Sequence, residues 1–203
     1  IYGYQGNGSP LAGWSPVRLD APLAFPVQYF RYRGKLRLFG VTEQGTLYLW
    51  NSAGILQQRH AFQTAFTHNF SMHFGATDST TYLVSTDTAG KAHLLYLNGQ
   101  AATKTFGDFG NSHHFLLADL NADGAESLIF AQGRKIEGYL PDGVKQFSVT
   151  LQDSIASGPA VYRLKGEPYL GYGSAETDRI FLIDWRTGKP YKGFPLKGDT
   201  LFR

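Results

Sequence analysis

Between residues 119 and 127 the chain reads Asp-Leu-Asn-Ala-Asp-Gly-Ala-Glu-Ser. Side-chain oxygens recur at alternate positions (Asp119, Asn121, Asp123), and Gly124 stands sixth, where a sharp bend is needed. That spacing can wrap a hard, oxygen-seeking cation such as calcium. The same residues also stabilise a metal-free turn, because Asp and Asn side chains hydrogen-bond the backbone two residues on. Both readings stand at this point. A second group is His113-His114, with His68 and His73 earlier. Neighbouring residues of a strand face opposite ways, so His113 and His114 cannot chelate together. A third is Arg31, Arg33, Lys35 and Arg37 interleaved with Tyr29, Phe30 and Tyr32. Basic and aromatic residues together can hold nucleic acid or an anionic glycan. Period-two spacing equally puts the charges on a solvated face with rings opposite, which is the favoured reading. The net charge of +3 is too small and too scattered to argue for nucleic acid. The chain contains neither G-x-S-x-G nor H-E-x-x-H.

The elements that position these residues come from a repeat. The segments IYGYQGNGSP, LYLWNSAGIL, LLYLNGQ, IEGYLPDGVK and IFLIDWRTGK each run from alternating apolar residues into an Asn/Asp/Gly turn. Their turn glycines are Gly8, Gly54, Gly99, Gly143 and Gly188, separated by 46, 45, 44 and 45 residues. An even period of this size with strand patterning signals a radial or solenoid array. The alternative is a β-sandwich with evenly spaced hairpins. Four strands fit in each period, so the expected fold is all-β: a β-propeller, or a segment of one, with four-stranded antiparallel blades. One domain is expected over 1–203, with a partial copy at about 1–22, copies at 23–66, 67–110, 111–154 and 155–198, and the start of another at 199–203. The chain opens inside a strand-like segment. The expected reading is therefore a piece of a larger ring, whose open edges a partner chain or further blades would cover. In such a ring His68 and His113 or His114 can converge on the central face. The simpler account is loop-end histidines bonded to backbone. Trp14, Trp50 and Trp185 fall at or near the second hairpin of their copies, which suits packing between blades.

Two resemblances follow from these motifs. The 119–127 stretch is similar to the calcium loop of FG-GAP/VCBS-type propeller repeats, D-x-D/N-x-D-G-x-x-D/E, and lies between the same two strands. The resemblance implies Asp119, Asn121 and Asp123 as side-chain ligands and Ala125 as a carbonyl ligand. It departs from the pattern at Ser127, where the family has a carboxylate; Glu126 comes one residue early and faces the other way on a strand. Asp184-Trp-Arg-Thr187-Gly188-Lys189 resembles the D-x-x-T-G-K turn of PQQ-like, quinoprotein-type repeats. Such propellers include quinone-dependent enzymes and non-catalytic scaffolds of the bacterial envelope. The cofactor-binding set of the enzymes is not recognisable here.

Composition sets the remaining bounds. With no cysteine among 203 residues, a disulfide framework, a thiolate metal site and a cysteine nucleophile are excluded. No apolar run is long enough to span a membrane. The expected function is a non-enzymatic scaffold, extracytoplasmic, that engages a protein or a glycan through loops on one face. The alternatives are an accessory part of a polysaccharide-degrading or quinone-dependent enzyme and a calcium-stabilised adhesion module.

Overall fold

The computed structural model describes residues 1–14 and 16–198. The expected start of a further copy at 199–203 lies outside the described residues. Among the described residues, sixteen strands form four antiparallel sheets of four, each in simple sequential order. Sheet one holds β1 (Gln28–Tyr32), β2 (Lys35–Val41), β3 (Thr46–Asn51) and β4 (Leu56–Ala61). Sheet two holds β5 (Ser71–His73), β6 (Tyr82–Thr86), β7 (Lys91–Tyr96) and β8 (Ala101–Thr105). Sheet three holds β9 (His114–Ala118), β10 (Ser127–Gln132), β11 (Lys135–Tyr139) and β12 (Lys145–Thr150). Sheet four holds β13 (Ile155–Leu164), β14 (Glu167–Ser174), β15 (Arg179–Ile183) and β16 (Leu196–Lys197).

The turn between third and fourth strands carries Gly54, Gly99, Gly143 and Gly188, at φ of +73°, +93°, +105° and +70°. A side chain resists that conformation and glycine does not, so the turn can close without strain. Residues 1–14 make a looser hairpin. It has a bridge from Tyr4 to Pro10 and Gly8 at φ +82° in its turn. The full strand expected over IYGY is reduced to that bridge, since Pro10 has no amide to donate.

Each central strand is buried on both faces. Leu83 and Leu95 pack toward sheet one with Leu47 and Leu49, whereas Tyr82, Val84 and Leu94 pack toward sheet three with Leu128 and Phe130. On sheet three the next residue, Ile129, turns to Leu170, Tyr172 and Phe181 of sheet four. The two-residue period of a strand thus splits alternate side chains between two neighbouring sheets. Burial is consequently continuous along β3, β6 and β10 rather than alternating. Each fully buried Leu, Ile or Phe contributes about 1.5–3 kcal/mol. The N-terminal hairpin covers the outer face of sheet one, with Trp14 against Trp50 at 5.8 Å between ring centroids.

Contacts between neighbouring sheets run through first strands, β5 with β9 and β9 with β13. The sheets therefore radiate from their first strands, which makes this a segment of a β-propeller, built of four-stranded blades. β5 is only three residues long, although NFSMHFG suggests a longer strand. Thr81 Oγ1 bonds both the amide and the carbonyl of Gly75, which takes that backbone out of the ladder. Among the described residues no helix is long and apolar enough to cross a membrane.

Candidate functional site

The strand order gives the segment two different ends. The lower end carries the second-to-third turns and the connections from one sheet to the next. The upper end carries the first-to-second and third-to-fourth turns.

At the lower end polar side chains satisfy one another. Asp20 accepts from Thr46 Oγ1 (2.8 Å) and from Arg59 Nη2 (2.9 Å). One sheet further, Asp87 Oδ2 accepts from Thr64 Oγ1 (3.1 Å) and from His93 Nε2 (2.9 Å), while Oδ1 takes the amides of Ala89 and Lys91. Burial raises the Asp87 carboxyl pKa, but these donors outweigh it and hold the group below its ordinary value. His93 Nδ1 meets Thr103 Oγ1 at 2.9 Å. Gln132 Oε1 accepts from the Gly110 amide, and Asp153 Oδ2 from Ser174 and Thr177. Each connection is thereby fastened to a second-to-third turn.

His113 belongs to the same end. Its Nδ1 donates to the Gly110 carbonyl (2.6 Å), and its Nε2 meets Thr86 Oγ1 at 2.7 Å. His114, at the start of β9, is half-buried; burial and the neighbouring His113 push its pKa down. His68 packs its ring on Phe25 at 4.7 Å. No cluster of three or more His, Cys, Asp or Glu suited to a metal forms among the described residues. Of the basic stripe, Arg31 and Lys35 are exposed, Arg37 is half-buried, and Arg33 turns to sheet two. Tyr29 shares the solvated face of Arg31 and is 73% exposed, whereas Phe30 and Tyr32 turn inward. Trp185 packs on Phe147 at 5.3 Å, across the boundary between sheets three and four.

At the upper end the first-to-second turns are linked in series. Arg33 Nη2 donates to the Ala76 carbonyl (2.5 Å), His73 Nδ1 meets Glu126 Oε2 at 2.6 Å, and Arg163 Nη2 donates to the Asp119 carbonyl (2.7 Å). The 119–125 loop closes on itself. Asp119 Oδ1 accepts from the amides of Asn121 and Ala122, and its Oδ2 from that of Gly124. Asp123 Oδ1 accepts from the Ala125 amide and Oδ2 from Asn121 Nδ2. All four carboxylate oxygens thus have donors inside the loop, the arrangement of a side-chain-stabilised turn. Ser127 begins β10 and is buried, paired with Ala118. Glu126 faces away from the loop and reaches across to sheet two.

There it borders a cleft of about 450 Å³ between sheets two and three, walled by His73, Thr80, Tyr82, Tyr96, Glu126 and Pro141. The Tyr82 ring stacks on His73 at 4.8 Å and meets Tyr96 edge-on at 5.4 Å. Tyr82 is 4% exposed, and its hydroxyl has no hydrogen-bond partner. Burial, with the charge of Glu126 and then Tyr96, raises its pKa well above that of a free phenol, so it stays protonated. A carboxylate brings no proton to the His73–Glu126 contact, so His73 Nδ1 carries it. Lys104 extends from β8 to the carbonyl of Pro141 in the cleft wall. In the sequence Glu126 falls on the opposite strand face from the loop ligands, and nothing local pairs it with His73. They lie 53 residues apart, and only sheet-to-sheet packing joins them.

No family model matches the chain, and no curated protein is similar to it. Solved structures are similar. Sqt1 of Saccharomyces cerevisiae superposes with a TM-score of 0.59 at 12% identity, covering 97% of this chain and 55% of that one. BBS1N, solved in complex with ARL6DN, gives 0.54 at 14% identity, covering 88% and 51%. Virginiamycin B lyase of Staphylococcus aureus gives 0.52 at 11%, covering 90% and 59%. The chain spans about half the length of the first two of these structures. At such identities the similarity concerns the fold, and the fold is that of a β-propeller segment.

Proposed function

We propose that the chain is part of a non-enzymatic propeller scaffold that binds a protein partner through the loops of its upper end, with the cleft between sheets two and three as the anchoring point. The observation that carries this reading is the contrast between the ends. Below, turns and connections are fastened together by hydrogen-bonded side chains, although the buried Tyr172 hydroxyl there is unmatched too. Above, a cleft is walled by a carboxylate, an imidazole and a buried phenol whose hydroxyl is unmatched. A buried polar group left without a partner costs roughly 1–3 kcal/mol, which a bound group supplying a hydrogen bond would recover. Propellers of this shape include one solved with a protein partner, BBS1N with ARL6DN, and one named as a lyase, so fold alone does not choose between roles. In the same reading the copies are repeats of FG-GAP/VCBS or PQQ-like type. The evenness of the turn glycines and the Asp184–Lys189 turn support that assignment.

The test is a paired block. Ser79 lies exposed at the cleft rim and Thr88 lies exposed at the lower end. Partners cross-linked to the chain in its native extract are expected to disappear with Ser79→Arg and to persist with Thr88→Arg. Loss with Thr88→Arg and retention with Ser79→Arg would move the binding surface to the opposite end.

A further inference from the structure

We infer that the cleft is a receptor for a primary ammonium group, supplied by a lysine side chain of the partner. This deepens the binding reading and rests on it. Glu126 is the one acidic residue among those lining the cleft, and His73 is the one basic residue. The His73 ring meets Glu126 through Nδ1, which leaves Nε2 on the far side of the ring from the carboxylate. Glu126 has a second oxygen, Oε1, beyond the one that meets His73. The Tyr82 hydroxyl adds an unmatched polar group, a donor as well as an acceptor, buried within the wall. Lys104 attaches its ammonium to the Pro141 carbonyl and makes no ion pair with Glu126.

A guest that complements the Glu126 carboxylate brings donors and positive charge. An ammonium has three donors and no acceptor, which matches this set. Tyr96, half-buried in the cleft wall, offers aromatic surface to the aliphatic stem and a π-face to the charge. An anionic guest such as a phosphate would meet the Glu126 carboxylate unfavourably. A sugar brings as many acceptors as donors, and the exposed hydroxyls of Ser79 and Thr80 stand at the rim, with Thr80 Oγ1 already bonded to Thr77.

Two conservative variants isolate the chemistry. Tyr82→Phe removes the hydroxyl and keeps the ring against His73 and Tyr96. Glu126→Gln removes the charge and keeps an acceptor for His73. The measurement is two-dimensional NMR of the full chain titrated with an end-capped Gly-Gly-Lys-Gly-Gly peptide, its Nε-acetyl-lysine counterpart and methyl glucoside. The lysine peptide is expected to shift the amides of residues 79–82 and 124–126, with acetylation weakening binding about tenfold. Tyr82→Phe is expected to weaken it about fivefold, and Glu126→Gln about tenfold or more. Equal shifts with both peptides, shifts from methyl glucoside at the same amides, or no shifts from any probe would overturn the ammonium assignment. If the assignment fails while Ser79→Arg still removes the cross-linked partners, the scaffold reading stands and only the nature of the guest changes. If the partners also survive Ser79→Arg, both readings fall.

Discussion

Glu137 on β11 shows at the scale of one residue how this chain tolerates charge in its interior. The carboxylate is almost fully buried and accepts from Lys145 and Tyr139 at 2.6 Å, from Lys135 at 3.0 Å and from Ser148 at 3.2 Å. Burial raises its pKa, but the bonds from Lys145, Tyr139 and Lys135 prevail and hold it at about 2, below its ordinary 4.5. A carboxyl whose pKa is depressed on folding stabilises the fold fully above its unfolded value, and that contribution is lost as pH falls through the folded one. Urea denaturation should therefore show stability declining from pH 4.5 toward pH 2. Glu137→Gln is expected to remove about 2 kcal/mol at neutral pH and to flatten that decline. An unchanged acid limb in the variant would dissociate the decline from Glu137. The 119–125 loop makes a second prediction at this scale. Because its carboxylates are engaged by its own amides, Asp119→Ala is expected to cost about 1 kcal/mol, equally in EDTA and in millimolar calcium. A melting temperature raised by calcium in the parent and not in Asp119→Ala would instead assign Asp119, Asn121, Asp123 and Ala125 to a bound cation.

Among the elements, the third-to-fourth turn is the unit that repeats. Two of its glycines separate conformation from contact. Gly143 sits at φ +105° with open space around a built Cβ, whereas at Gly54, φ +73°, that atom would stand 2.3 Å from the Gly13 carbonyl oxygen. Gly143→Ala is thus expected to cost about 1–2 kcal/mol from backbone strain alone. Gly54→Ala should cost more and loosen the N-terminal hairpin from sheet one. Thermal melts and the fluorescence of Trp14 and Trp50 would report both effects, and equal losses would contradict the contact. These turns were legible in the sequence because a reversing turn that needs positive φ selects glycine at a fixed place in each copy. Strand lengths were less legible. β5 is shortened by the Thr81 side chain and β16 by the prolines at 190 and 195, both local competitors with the ladder that strand patterning does not register.

For the whole molecule, the decisive fact is that sheets two and three are each sandwiched by their neighbours, so alternate residues of one strand belong to different cores. Ile129→Ala on β10 is expected to destabilise the chain by about 2–5 kcal/mol as a single cooperative loss, because it opens the boundary between sheets three and four. The four-stranded copies could be read from turn spacing alone. The candidate site could not, since His73, Tyr82 and Glu126 come from two sheets and nothing local in the sequence pairs them. Of the histidines that stand out by type, His68 packs on Phe25, His113 bonds the Gly110 carbonyl and Thr86, and His114 is half-buried on β9. The account as a whole depends on binding occurring at the upper end. Hydrogen–deuterium exchange of the chain with and without its cross-linked partner tests this most directly. Slowed exchange is expected in segments 76–80, 122–126 and 141–143. Protection confined instead to 42–46, 87–90 and 108–112 would contradict it.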